Sequence, residues 1–458
     1  MNERFSPHNL HWESSDIFFD QDPHLRRLKD IVYVHRSELL KKLPMRQPGI
    51  YTISGARQVG KSTLMKQWMA DLLNHDIPPD RIAYFTGELI DDHHSLVKIF
   101  TETLEELPYS DIRYFLLDEV TYIRDWDKGI KYLADAGLLE RAVVILSGSD
   151  LAIIREARLR FPGRRGMSDE VDFHLYPLDF RETIQLKNIF EADVLKHLLM
   201  REVYPDSEMM DVIFDAFDEY LIHGGFLTAI NALAEYDYIP NSTFSTYSDW
   251  IRGDVLKRGK QERYLREVLE TIFKRYGSQV TWNALVKDLS IDHPKTVADY
   301  ITLLESMDAV FVQYALSENN LKAAPKKARK VIFTDPFIFH SVRAWLFPVQ
   351  NIYEQYVVSA LNDPKLSSRL VEGCATALYR RHYQTYYIKA HGEVDIAYVD
   401  GNHFHPIEIK WSGQLRPKDL KQIAKYPSGQ ILAKSKQYGN ILGIPTEPLP
   451  LSLLRLGL

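Results

Sequence analysis

The sequence predicts an α/β chain with a buried parallel sheet in its first part, a small helical unit in its middle and a separate α/β unit at its end. Three observations carry this. From residue 50 to about 150 the short apolar runs IYTIS, RIAYF, YFLLD and VVILS alternate with helix-length polar stretches. Such unalternated runs are those of strands covered on both faces. From Glu262 to Tyr314 the apolar period is helical, and from about Asn351 onward a helix leads into the strand-like EVDIAYVDGNHFHPIEIKW.

Composition bounds the class. At 458 residues the chain is too long for one ordinary core, and the length predicts roughly three conventional domains. A hydrophobic share of 45% and a charged share of 26% are those of a soluble globular protein. The single cysteine, Cys374, excludes an intrachain disulfide and points to a reducing compartment. The first residues carry no apolar signal region and no run is long enough to span a bilayer, so the expectation is a cytoplasmic protein without a membrane partner. Net charge is -6, which argues against a uniformly basic coat for nucleic acid. Positive charge is instead local: five arginines between Arg155 and Arg165, six basic residues against two acids between Arg252 and Arg266, and five basic residues without an acid between Lys322 and Lys330. Each is either a solvated face or a place for DNA.

The most specific motif is Gly55-Ala56-Arg57-Gln58-Val59-Gly60-Lys61-Ser62, followed by Thr63, between the strand IYTIS and the helical STLMKQWMADLL. Glycines let backbone amides turn inward around phosphates, Lys61 can reach the β- and γ-phosphates of ATP, and Ser62 can ligate Mg²⁺. The helix that opens near Lys61 adds its positive dipole end. The apolar run YFLLDEV ends in Asp118, expected to hold the metal through water, and Glu119, expected to polarise the attacking water. Ser147 closes the fourth strand and is a candidate γ-phosphate contact, although ordinary loop chemistry explains it equally well.

In the middle of the chain, Leu265, Val268, Leu269, Ile272 and Phe273 mark one helical face, Ala284, Leu285 and Leu289 a second, and Val297, Tyr300, Ile301 and Leu304 a third. Pro294 can open the third helix, with Asp292 or Ser290 as its cap. The strand-like AVFVQYAL follows, the order of a winged helix-turn-helix. Such a unit would present Lys295 and Thr296 to a DNA groove and set Lys322, Lys326, Lys327, Arg329 and Lys330 against phosphates. Against this, Asp292 and Asp299 flank the recognition helix unfavourably, and the same fold also serves as a spacer or dimerisation unit. The loop His223-Gly224-Gly225-Phe226 reads as a conformationally demanding turn or hinge.

In the last segment Gly401 and Asn402 are hairpin-turn residues. A two-residue loop there puts Asp395 opposite Glu408, with Lys410 on the same face by alternation. Two carboxylates and an ammonium on one face can bind Mg²⁺ and activate water for phosphodiester attack, or they can form a surface salt-bridge network. His403 and His405 need no metal to explain them.

These motifs in combination resemble a prokaryotic family of AAA-type P-loop ATPases that carry a C-terminal domain of unknown function. The resemblance rests on SGARQVGKSTLMKQ, LLDEVTYIRDWDKGIKYL, ILSGSD, FPGRR, LYPLDFRETI, YLIHGGF, KVIFTDPFIF and GEVDIAYVDGNHFHPIEIKW, and runs from about Val34 onward. It implies an AAA+ ATPase core over residues 1–205, a helical lid region over 206–260, a winged helix-turn-helix domain over 261–346, and an α/β restriction-endonuclease-like domain over 347–458. The last resembles the PD-(D/E)xK fold, whose first acid comes from a preceding helix. Glu354 in YEQYVVSAL fits that place, and Gln422 or Lys421 could complete the set. In ring-forming AAA proteins an arginine from one subunit completes the neighbour's site, and Arg164 and Arg165 in FPGRR are the candidates. A homo-oligomer, in one form a hexameric ring, acting on duplex or branched DNA is one reading. A nucleotide-dependent regulatory switch with a nuclease-like docking domain is the other.

Overall fold

The computed structural model describes residues 3–105, 111–149, 157, 159–166, 168–390, 392–412 and 420–458. It divides into two compact units, residues 1–176 with 306–308 and residues 177–305 with 309–458. The second contains the segments 206–260 and 347–458 and most of 261–346.

In the first unit β1 (Gly49–Ser54), β2 (Ile82–Thr86), β3 (Arg113–Asp118), β4 (Ala142–Gly148) and β5 (Asp172–His174) form one sheet in the order β2-β3-β4-β1-β5. All pairings are parallel. The four apolar runs are the first four strands. β5 is too short to show a period in the sequence, and it exists because β1 offers it a partner edge. Strand alternation splits the apolar residues between two cores, with Phe85, Phe115, Leu117 and Val144 in one. Tyr51, Ile53, Tyr84, Leu116 and Val143 lie in the other, packed on Leu64, Met65 and Trp68 of the helix Lys61–Asn74.

β2 is an edge strand, and an exposed edge is a template for unwanted pairing. The N-terminal residues, which show no strand or helix period in the sequence, cover it. The Asn9 side chain mimics a strand, its Oδ1 accepting from Tyr84 N–H at 2.7 Å and its Nδ2 donating to Tyr84 C=O at 2.8 Å. Trp12 Nε1–H and His11 Nε2–H reach Ile82 C=O, each at 2.8 Å.

The second unit opens with helices Phe180–Leu186, Ala192–Leu199, Ser207–His223, Leu227–Tyr236 and Asn241–Lys257. Three more follow, Glu262–Lys274, Trp282–Val286 and Pro294–Ser306. Then β6 (Val310–Tyr314) pairs antiparallel with β9 (Arg329–Phe333), and β7 (Leu316–Ser317) with β8 (Lys322–Ala323). Neither expected cap opens the third of these helices as predicted: Ser290 is bound to Glu267 at 2.7 Å, Asp292 is exposed, and His293 Nδ1 accepts from Lys295 N–H at 3.2 Å. The Gly224-Gly225 turn is built around a buried carboxylate. Asp335 accepts from Gly225 N–H at 2.8 Å and caps the helix Pro336–Leu346 through Phe337 N–H at 2.7 Å. A Cβ on Gly225 would lie 2.0 Å from the Leu178 carbonyl oxygen, so no larger residue fits.

The segment expected as one helix, YEQYVVSAL, is a π-helix over Tyr353–Val358 continued by Ser359–Asn362, and the long helix Pro364–His382 follows. β10 (Gln384–Lys389), β11 (Glu393–Asp400), β12 (His403–Lys410), β13 (Gln430–Ala433), β14 (Gly439–Ile441) and β15 (Ile444–Pro448) form a sheet ordered β10-β11-β12-β13-β15-β14. β10, β11 and β12 are antiparallel, and β12, β13 and β15 parallel. The β11–β12 register pairs Asp400 with His403 and Ile396 with Ile407, so Gly401 (φ +55°) and Asn402 are the two-residue loop. Among the described residues, no helix is long and apolar enough to cross a membrane.

Replacing Asn9 by Ala strands two buried backbone groups of Tyr84. It should cost about 2–3 kcal/mol in urea denaturation of the full chain. Burial lowers the pKa of His11 to about 4 and that of His340 to about 4, whereas an unfolded histidine titrates near 6.5. Both fold neutral, so their contribution is complete above pH 6.5 and is lost as pH falls toward 4. Melting temperature should drop across that window, and His11→Gln or His340→Gln should flatten the slope.

Candidate functional site

In the order β2-β3-β4-β1-β5 the carboxyl ends of β1, β3 and β4 lie side by side, the place where parallel α/β sheets bind ligands. Gly55 follows β1 with φ +153°, and a Cβ there would come within 2.4 Å of the Leu175 carbonyl oxygen. Gly60 has φ +107° and Gln58 φ +61°, so the loop turns back on itself before the helix begins at Lys61. The Lys61 ammonium lies inside this loop, donating to Gly55 C=O at 3.0 Å and Ala56 C=O at 3.1 Å, 3.8 Å from Glu119. Burial lowers its pKa, and the charges of Glu119 and Asp118 oppose that shift.

Asp118 is the centre of the site. It is 5% exposed, and three hydroxyls donate to its carboxylate: Ser62 at 2.6 Å, Tyr84 at 2.6 Å and Ser147. Ser147 Oγ also accepts from Glu119 N–H at 3.2 Å, and Ser149 donates to Glu119 Oε2 at 3.1 Å. Glu119 has left-handed backbone, φ +50°, which turns its side chain away from the strand line toward Lys61. Ser62, a hydroxyl on the first turn of the helix, and the Asp118 carboxylate are oxygen donors in mutual contact, a set that fits Mg²⁺. Arg57 donates to the Tyr122 hydroxyl, Thr63 lies 3.4 Å from His24 Nδ1, and Val59 is half-buried.

Tyr84 was not anticipated as a site residue. Its signal in the sequence was a hydroxyl inside an apolar strand run, which needs a partner when buried. The alternation of β2 and β3 directs it to the face that carries Leu116 and Asp118. Behind it lies a buried ion pair, Lys66 with Asp22 at 3.1 Å, and the Lys66 ammonium sits 4.0 Å from the Tyr84 ring centroid.

Residues 47–184 match the family model of an AAA domain. Residues 214–347 match a domain of unknown function, DUF8612. The chain is 22% identical over 273 residues to an uncharacterized protein of Haemophilus influenzae, covering 56% of this chain and 60% of that one. It is 24% identical over 300 residues to an uncharacterized protein of Methanocaldococcus jannaschii, covering 61% and 59%. The chain thus spans about three fifths of the length of these curated relatives. Among solved structures it is similar to a Walker-type ATPase of Pyrococcus abyssi, at 15% identity and TM-score 0.40 over 72% of this chain and 96% of that one. It is similar also to the Aeropyrum pernix ORC1 protein in complex with DNA, at 12% identity and TM-score 0.32 over 74% and 94%.

The two candidate finger arginines part company. Arg164 pairs with Asp135 on the same unit, with its side chain 33% exposed. Arg165 is committed internally: it pairs with Asp172 at 2.5 Å and donates to Ile50 C=O, Thr52 Oγ1 and Val171 C=O. It joins β1 to β5 and cannot reach a neighbouring subunit without breaking that junction. Arg155 and Arg158 lie outside the described residues.

In the second unit Lys295, Lys322, Lys326 and Lys327 are exposed, and Thr296 is half-buried. Arg329 stacks on Trp282, 4.6 Å from the ring centroid, and donates to Pro325 C=O. Lys330, expected on phosphates, is fully buried among carboxylates and cannot make that contact. The basic stretch from Arg252 is largely compensated: Arg252 pairs with Asp249 and Glu262, Arg263 with Glu267, and Arg266 with Glu270.

The hairpin places Asp395, Glu408 and Lys410 close to one another. Asp395 accepts from Ile409 N–H at 2.8 Å, and Lys410 donates to Glu408 at 2.5 Å. Glu354 is exposed on the π-helix, and the helical acid that joins the cluster is Glu372 of Pro364–His382. Lys421 is exposed, and Gln422 is held by Tyr426 and Lys425.

Tyr84→Phe removes one of the three donors to Asp118. ATP turnover should fall roughly tenfold, the equivalent of one hydrogen bond to a charged group, with nucleotide affinity measured without Mg²⁺ unchanged.

Proposed function

We propose that the chain is an ATP-hydrolysing AAA-type ATPase that couples nucleotide turnover to the binding or remodelling of DNA. The observation that carries the ATPase part is the convergence of Lys61, Ser62, Asp118, Glu119 and Ser147 at the ends of three parallel strands. On nucleotide binding, Lys61 exchanges its two loop carbonyls for the β- and γ-phosphate oxygens, while the amides of Gly55 to Thr63 and the helix end receive the rest of the charge. Ser62 and Asp118 would hold Mg²⁺, which neutralises phosphate charge as the bond to the leaving group breaks. The Glu119 carboxylate orients the attacking water, and Ser149 fixes that carboxylate. Ser147 holds Asp118 and the Glu119 amide in one frame, so a change at the γ-phosphate is felt by both acids. Arg164 is the residue available as a finger in a homo-oligomeric ring, hexameric in the simplest case.

The DNA part is supported by the order of the middle elements. Three helices, a short β hairpin and an antiparallel strand pair have the sequence of a winged helix-turn-helix, with Lys295 and Thr296 at the exposed start of its third helix. Lys322, Lys326 and Lys327 form an exposed basic group beside the hairpin, suited to phosphate contacts. The tail, a long helix followed by three antiparallel strands and a parallel continuation, supports the nuclease-like reading, with Asp395, Glu408 and Lys410 in its hairpin and Glu372 in place of Glu354. Branched or forked duplex DNA is the proposed substrate class, handled in the cytoplasm. The compensated arginines of 252–266 favour a second reading, a nucleotide-dependent switch that docks a protein partner.

Steady-state ATP hydrolysis by the full chain, measured without nucleic acid and with single-stranded, duplex and four-way-junction DNA, separates the two. The DNA reading expects several-fold stimulation by one DNA form, falling steeply with salt. Glu119→Gln should abolish turnover, and joint replacement of Lys322, Lys326 and Lys327 by Ala should remove the stimulation while leaving the basal rate. A rate indifferent to every DNA would favour the switch.

A further inference from the structure

The carboxylate cluster of the tail already contains a cation, and it is covalently part of the chain. Lys330, on β9, extends its side chain out of the strand pair β6–β9 and into the space enclosed by Glu372, Glu393 and Asp395. Its ammonium is 2.7 Å from Glu372, in direct contact with Glu393, and 4.0 Å from Asp395. The side chain has no exposure to solvent. Each of the three acids offers one oxygen within 4.8 Å of the other two, a spacing that suits a single small divalent ion. The position that ion would need is the one Lys330 Nζ occupies.

The surroundings hold the lysine there. Gln313, paired with Lys330 across β6–β9, donates to the Tyr386 and Asp395 carbonyls at 3.0 and 2.9 Å, fastening that strand pair to the tail sheet. Gln279 donates to the second oxygen of Glu393. Burial works against the charge on Lys330, but Glu372, Asp395 and Glu393 outweigh it and raise its pKa. Glu372, Glu393, Asp395 and Glu408 face two ammoniums, those of Lys330 and Lys410. Glu408 is 4% exposed, and its Oε2 is buried without a hydrogen-bond partner among the described residues. Burial, with the charge of Asp395 next, raises the pKa of Glu408 to about 8.

We propose that Lys330 is the resident cation of the Glu372, Glu393 and Asp395 cluster, filling the place in which those three acids would otherwise hold a divalent ion, so that the tail neither takes up nor requires the metal. The expectation of a metal rests on the nuclease-like reading of the tail; the ATPase and DNA readings play no part in it. Two consequences follow. The tail acts as a binding platform and not as a phosphodiesterase. And replacing Lys330 by an uncharged residue turns the cluster into a divalent-cation site.

Mn²⁺ binding tests this directly. The full-length chain carrying Asp118→Asn, which removes the carboxylate ligand of the first unit's candidate Mg²⁺ site, is titrated with Mn²⁺ without nucleotide, and free ion is followed by electron paramagnetic resonance. With Lys330 present no ion should bind to the tail in the micromolar range. With Lys330→Met added, one ion should bind about 100-fold or more tighter, and Mn²⁺ should raise the melting temperature of that variant alone. Equal Mn²⁺ affinity with and without Lys330 would overturn the proposal, as would a folded Lys330→Met chain that gains no ion. If that variant is insoluble alone but recovered folded with Mn²⁺, and lost again on chelation, the proposal stands. If it is insoluble in both conditions, Lys330→Met with Glu393→Gln, which relieves one buried charge, decides: Mn²⁺ binding supports the proposal and its absence overturns it. Failure of both variants to fold with Mn²⁺ also overturns it, because an ion that fits the cluster would stabilise the folded chain.

Discussion

A carboxylate at the buried end of a strand must be surrounded by donors, and much of the first unit is organised by that requirement at Asp118. Its two oxygens take hydroxyls from three different elements: Ser62 from the helix after the phosphate loop, Tyr84 from β2 and Ser147 from β4. Each bond fixes the position of one element against β3. The parallel order of the strands brings those hydroxyls within reach, and the charge at the centre makes a shift in register expensive, since a displaced donor would leave a buried anion short of partners. The geometry of the candidate site and the fold are here the same set of contacts.

The N-terminal residues extend the same network outward. Asn9 seals the β2 edge at Tyr84, the residue whose hydroxyl reaches Asp118, and Lys66 stands over the Tyr84 ring while paired to Asp22. The edge cover is therefore continuous with the support of the Asp118 carboxylate. Segments that look dispensable in sequence, because they lack strand or helix periodicity, contribute side chains that hold the site from behind.

The second unit solves a related problem with a lysine. Four carboxyl groups meet at the junction of the strand pair β6–β9, the helix Pro364–His382 and the tail hairpin, and the chain meets them with Lys330 and Lys410. A buried ion pair of this kind adds little net stability over an apolar contact, but losing one partner is costly, so it fixes which surfaces meet. Lys330 thus ties the middle elements to the tail as Asp335 ties the Gly224-Gly225 turn to the helix Pro336–Leu346.

The sequence by itself determined the four main strands, the phosphate loop, the acids that end β3 and the two-residue hairpin, because each is encoded locally. A continuous apolar run, a glycine at a left-handed position and a turn pair with fixed register need no knowledge of distant residues. What only tertiary structure decided was the fate of charged side chains. Arg164 and Arg165 are adjacent in sequence, yet one is partly exposed and the other joins β1 to β5. Lys326, Lys327 and Lys330 belong to one basic run, yet the last points into a core of acids from segments 42 to 65 positions away. Glu354 and Glu372 both sit on helices ahead of the tail sheet, and only the packing of the long helix brings the second to Asp395. Charge type is written in the sequence, but the partner of a charge is set by which distant elements pack beside it, and burial then turns that partner from an option into a requirement.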